Sequence, residues 1–173
     1  MSRPVDVVRT YLELRSPEQL RRAELDDPRV RFVCRDGIST QHYRRLYQDV
    51  GARWHWLDRN AWSDDRLAAH LARPEISVWE CVIDHQSAGF FELERSDDGS
   101  VEISYFGLAP AFIGRGIGKA MLTRAADEAW ALGARRVWLH TCTLDSPNAL
   151  PNYKARGFEE YRRERYVAQL PDD

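Results

Sequence analysis

The segment Gly114-Arg115-Gly116-Ile117-Gly118-Lys119, running at once into a helical pattern, most constrains how this chain can fold. Glycine lacks a Cβ and tolerates positive φ, so three glycines at alternate positions let the backbone curl and press against a ligand. The helix that follows directs its first unpaired N–H groups and the positive end of its dipole into that curl. Such a site suits a phosphate or pyrophosphate, and Arg115 and Lys119 add charge at its rim. A glycine-rich turn before an ordinary amphipathic helix would have the same composition, so the loop alone leaves both readings open.

Two phosphate motifs are excluded by spacing. A P-loop needs a glycine five residues before its Gly-Lys pair and Ser or Thr after it; Ile113 and Ala120 stand there instead. A dinucleotide fingerprint needs G-x-G-x-x-G directly after a strand, whereas Leu108-Ala109-Pro110-Ala111-Phe112 intervenes here. The remaining pattern resembles the pyrophosphate loop of the GNAT superfamily of acyl-CoA-dependent N-acetyltransferases. Its consensus, Gln/Arg-x-x-Gly-x-Gly/Ala, is met at Gly116 and Gly118, with Ile113 replacing the leading polar residue.

A second segment strengthens the resemblance. Ser146-Pro147-Asn148-Ala149-Leu150-Pro151-Asn152-Tyr153-Lys154-Ala155-Arg156-Gly157-Phe158 is similar to the other GNAT signature, N-x-x-A-x-x-x-Y-x-x-x-G-F, with Ser146 in place of Asn. Physically it reads as a short helix with Ser146 as N-cap and Pro147 at N1, stopped by Gly157. The resemblance spans roughly residues 76–162.

That resemblance implies one domain over residues 1–173: an α/β fold with a mixed, mostly antiparallel sheet flanked by helices. Residues 1–28 would be a strand-helix extension to it. It also implies acetyl-CoA as donor and an amine as acceptor, on a small molecule, a protein N-terminus or a lysine. Phe106, Gly107 and Leu108 would pair with the pantetheine arm. Gly114, Arg115, Gly116, Ile117, Gly118 and Lys119 would hold the pyrophosphate, with Ser146 near the cofactor. A non-catalytic acyl-CoA-binding domain would keep the same loop. A homodimer is frequent in the family.

An amine must lose a proton before it attacks a thioester; with a pKa near 10.4, its neutral form at pH 7 costs roughly 4.6 kcal/mol. A base therefore matters. Glu102, alternating with Val101 and Ile103, is the candidate, its alternative being a solvated strand glutamate. Tyr153 occupies the position where many GNAT enzymes carry a general acid; its alternative is a core tyrosine that positions the sulfur. Trp54, His55, Trp56, Asp58 and Trp62 fall in a region that lines the GNAT acceptor site. Aromatic faces beside a carboxylate suit a cation, although clustered tryptophans also serve as packing.

Along the chain, Val5 to Leu14 reads as a strand and Ser16-Pro17 as the start of a short helix through Ala23. Val30 to Cys34 is a strand, and Ser39 to Val50 a helix stopped by Gly51. Ser63 caps a helix to about Leu71. Strands follow at Ile76 to Ile83, Gly89 to Glu94 and Val101 to Leu108, joined by tight turns. A helix from Gly116 to Leu132, a strand from Val137 to Cys142 and strand character from Phe158 to Leu170 complete the pattern.

Composition adds exclusions. A net charge of −2 gives no reason to expect a nucleic-acid or membrane surface, and no apolar run near Met1 suits a signal or a span. The scattered histidines and cysteines lack metal-ligand spacing. Cys34, Cys81 and Cys142, odd in number and widely separated, read as reduced thiols in a cytoplasmic protein.

Overall fold

Phe90 and Phe91 are neighbours in sequence and both fully buried. Successive strand side chains point to opposite faces, so the strand that carries them, β4 (Gln86–Arg95), is covered on both sides. The structure, a computed structural model, describes residues 1–172. Its sheet contains β1 (Ser2–Leu14), β2 (Val30–Cys34), β3 (Ile76–Ile83), β4, β5 (Ser100–Leu108), β6 (Arg136–Cys142) and β7 (Glu159–Pro171). The spatial order is β2-β3-β4-β5-β6-β1-β7. Every pairing is antiparallel except β5 with β6. This is the mixed, mostly antiparallel sheet flanked by helices that the sequence implies.

One face packs on α3 (Ile117–Ala131) and α4 (Ala149–Ala155). Phe91, Leu93, Val101, Ile103, Val137, Leu139, Leu12 and Leu14 meet Met121, Leu122 and Ala125 there. The other face carries α1 (Thr40–Gly51) and α2 (Asp64–Leu71). Tyr43, Leu46, Val50 and Leu67 close over Val78 and Phe90. Both helices start where a serine hydroxyl accepts a backbone N–H: Ser39 from His42 at 3.1 Å and Ser63 from Arg66 at 3.2 Å.

The N-terminal segment departs from expectation in one respect. The helix expected through Ala23 is a single 3-10 turn, Pro17–Gln19. Residues beyond it run extended because other elements supply their partners. Arg21 N donates to the Arg156 carbonyl at 2.8 Å, Ala23 N to Thr123 Oγ1 at 3.0 Å, and Arg22 forks onto Asp127 at 2.7 Å. Gly157, at φ +97°, permits this crossing, since a Cβ there would collide with the Gln19 carbonyl. β1 lies inside the sheet, paired with β6 on one edge and β7 on the other.

The motif helix also starts later than expected. α4 has Asn148 as N-cap, and Ser146 lies outside it, its hydroxyl accepting Asn148 N at 3.3 Å. Pro151 explains the delay. A helix begun at Pro147 would place that ring in its interior, against a carbonyl one turn back. From Ala149 it falls in the first turn, where no N–H is needed.

Candidate active site

The parallel pairing of β5 with β6 covers only Ser100–Glu102 against Arg136–Trp138. Beyond it the two strands run on to Leu108 and Cys142 without bonding each other. The register on the β4 side shows why: Leu93 faces Ile103 but Glu92 faces Tyr105, leaving Ser104 as an extra residue. Such a bulge bends the strand and strengthens its twist. Between the parted strands opens a cavity of about 750 Å³.

Phe106, Gly107, Leu108, Gly114, Gly116, Gly118, Lys119, Ser146 and Tyr153 all line that cavity. At one end the loop before α3 curls through Gly114 at φ +86° and Gly116 at φ +77°, and Gly116 is the helix N-cap. Two of the expected loop residues turn elsewhere. Ile117 is 2% exposed in the core, and the Arg115 guanidinium lies 5.3 Å from the Phe112 ring. Neither side chain is among the lining, although the backbone of both belongs to the curl.

At the other end, Glu102 sits directly opposite Glu94 across the β4–β5 pair. Burial, then Glu94 and Glu92, push its carboxyl up to about 7 against the opposing pull of Arg59. His140 Nε2 lies 3.9 Å from Glu102 Oε1, where β5 and β6 part. Burial and nearby Arg9 favour the neutral imidazole. Tyr153, 6% exposed, has its ring edge-on to Phe106 at 6.0 Å, and burial raises its phenol far above neutrality. It therefore stays protonated and can donate.

The aromatic segment divides. Trp54, His55, Trp56 and Asp58 line the cavity, His55 holding a left-handed φ of +58°. Trp56 also packs against Tyr105, Tyr47 and Phe90 at 5.0, 5.7 and 6.1 Å. Trp62 does not reach the cavity; it is held between Arg66, Arg59 and His70 at 4.1, 4.8 and 5.3 Å.

Sequence reasoning missed the group that fixes this wall. Arg59, 6% exposed, forks onto Glu92 at 2.6 and 2.9 Å. Tyr43 donates to the same carboxylate at 2.7 Å, and His70 Nε2 is 3.0 Å from it. Burial alone would raise the Glu92 carboxyl, but the hydrogen bonds of His70 and Arg59 hold it at about 2. The available signal was a glutamate in the apolar run Gly89-Phe90-Phe91-Glu92-Leu93, since a buried carboxylate demands a cation. Among the described residues no cluster of His, Cys, Asp and Glu could hold a metal ion.

Comparison with known proteins bears on the family and the fold. The profile of the acetyltransferase (GNAT) family matches residues 41–158. An uncharacterised N-acetyltransferase of Mycobacterium tuberculosis strain H37Rv is 34% identical over 84 residues, 49% of this chain and 53% of that protein. The chain thus spans about half the length of the curated relatives it matches. A GCN5-related N-acetyltransferase from Sphaerobacter thermophilus superposes with a TM-score of 0.68 at 16% identity, over 98% of this chain and 54% of that one. An aminoglycoside acetyltransferase from an uncultured soil metagenomic sample, in complex with sisomicin, gives 0.64 at 13% identity, over 74% and 87%. At such identities these two structures speak to the fold alone.

Proposed function

Because the chain belongs to the acetyltransferase (GNAT) family, we propose that it transfers an acetyl group from acetyl-CoA to a primary amine by direct attack in a ternary complex. The observation that carries this reading is one cavity joining the glycine loop, the unpaired edge of β5, Tyr153 and Glu102. The N–H groups at the start of α3, with Lys119, take the pyrophosphate. The free backbone of Phe106, Gly107 and Leu108 pairs with the pantetheine amides, which brings the thioester into the gap between β5 and β6.

Glu102 removes the proton of the bound ammonium. The freed amine attacks the thioester carbonyl, the C–N bond forms and the C–S bond breaks. Tyr153 donates its phenolic proton to the departing thiolate, the proton that the new amide nitrogen sheds restores the phenol, and Glu102 releases the first proton to solvent. A carboxyl near 7 is matched to this work, being largely ionised just above neutrality yet basic enough to accept a proton. Trp54, Trp56 and Tyr105 supply aromatic faces to the acceptor cation.

The test is calorimetric titration with acetyl-CoA, together with thiol release across a panel of small amines, amino acids, polyamines, aminoglycosides and peptides. Amine-dependent release is expected. Tight binding with no release from any class would favour a non-catalytic acyl-CoA-binding domain, and absence of binding would overturn the loop assignment.

A further inference from the structure

Arg9 enters the cavity from β1, which places it opposite Cys142 on β6 and Glu164 on β7. Among the described residues no carboxylate pairs with its guanidinium. Glu164, the carboxylate facing it across the strands, is instead bound by the Tyr11 hydroxyl at 3.0 Å and approached by Arg162 at 4.0 Å. What holds Arg9 is a pair of phenols: Tyr11 hydrogen-bonds its side chain, Nη2 donates to Tyr166 Oη at 3.3 Å, and the guanidinium stacks 4.8 Å from the Tyr166 ring. Its Nε is buried with no hydrogen-bond partner. The cavity's other arginine, Arg59, is neutralised by Glu92. Of the cavity carboxylates, Glu94 is held by Arg73 at 3.0 Å, and Asp145 by Thr141 and the Cys142 N–H.

An oriented, partly desolvated guanidinium held by phenols and by no carboxylate among the described residues is prepared for a planar anion. Glu102 faces Trp138, four residues back along β6 from Cys142. At about 3.3 Å per residue and about 4.8 Å per strand, the two backbones lie roughly 16 Å apart along a diagonal, which the side chains shorten. The span exceeds an α-amino acid, whose amine nitrogen and carboxylate carbon are bonded to the same carbon.

We propose that Arg9 forms an anion subsite of the acceptor cavity, and that the acceptor carries a carboxylate several bonds from the amine that Glu102 deprotonates. This rests on the acetyl-transfer reading above. A carboxylate of the acceptor and a phosphate of the donor share this chemistry, and the test separates the two.

The test compares kcat/KM for ω-aminohexanoate and for hexylamine in the wild type, Arg9→Gln and Arg9→Lys, with melting curves to confirm folding. The wild type should favour the amino acid by about tenfold or more, the effect of one charge-assisted pair. Arg9→Gln should bring that ratio near one through KM, and Arg9→Lys should retain part of it. Equal use of both amines by the wild type, or a preference that survives in Arg9→Gln, would overturn the subsite. So would a calorimetric loss of acetyl-CoA affinity in Arg9→Gln as large as the loss for the acceptor, since the cation would then serve the donor. If neither amine is acetylated, release across the wider amine panel decides the acyl-transfer reading. Direct binding of the two probes to the CoA-loaded protein then decides the subsite, equal affinity overturning it.

Discussion

Glu102 lies beside two other carboxylates on a partly buried strand, and its environment leaves its proton poorly matched to an isolated glutamate. If it is the base, kcat/KM should rise with pH through about 7. Glu102→Gln should lower the plateau by about 10² or more and remove that limb; a limb that persists in the variant would assign it to another group. The same carboxyl makes a stability prediction whose sign is fixed. Its folded value lies above its unfolded one, so stability is fully present below the unfolded value near 4.5 and declines as pH rises to about 7. Glu102→Gln should therefore be more stable than wild type at pH 8 by at most about 3 kcal/mol in urea denaturation, and no more stable at pH 4. Tyr153→Phe should lower turnover while acetyl-CoA affinity, read by calorimetry, holds. Wild-type turnover would remove Tyr153 from the mechanism. Both residues were legible because they fall on motif positions or strand alternation. Arg59, Glu92 and His70 were not, because their meeting depends on which residues from a 3-10 turn, β4 and α2 converge.

At the scale of elements, the loop and α3 form one device. Gly116 holds φ +77° as N-cap, a conformation that costs a non-glycine residue about 1–2 kcal/mol. Valine, stiff at χ1, adds a branched side chain against Lys119, whose Cε a Cβ there would meet at 3.3 Å. Gly116→Val should abolish detectable acetyl-CoA binding by calorimetry in a folded protein, and an unchanged affinity would dissociate the loop from the donor. Local chemistry made most elements legible: β3 keeps the bounds of its apolar run, and α1 and α2 begin after the serines that cap them. Sequence failed where distant partners overrode local preference. Ser16-Pro17 looks like a helix start, yet Arg156, Thr123 and Asp127 hold the following residues extended. Nor did sequence show that Trp62 is clasped by two arginines outside the cavity while Trp56 forms its wall, since both stand in the same aromatic run.

For the whole molecule, the decisive fact is that the first strand completes the sheet between β6 and β7. Nothing local announces this, because the partners of Arg9 are Cys142 and Glu164, far along the chain. The consequence joins stability to function, since β1 contributes Leu12 and Leu14, both fully buried, to the core and Arg9 to the cavity. Leu12→Ala should cost about 2–5 kcal/mol, the range for emptying a packed leucine site, measured by urea denaturation with an unchanged slope. Deleting residues 1–14 should do something different in kind. β7 would lose the only strand it pairs with among the described residues, and β6 would keep only its short parallel contact with β5. Such a chain should lose its single cooperative transition and expose apolar surface. A truncated protein that melted as sharply as the full chain would mean that β1 is an appendage, and that the sheet from β2 to β6 together with β7 is self-sufficient.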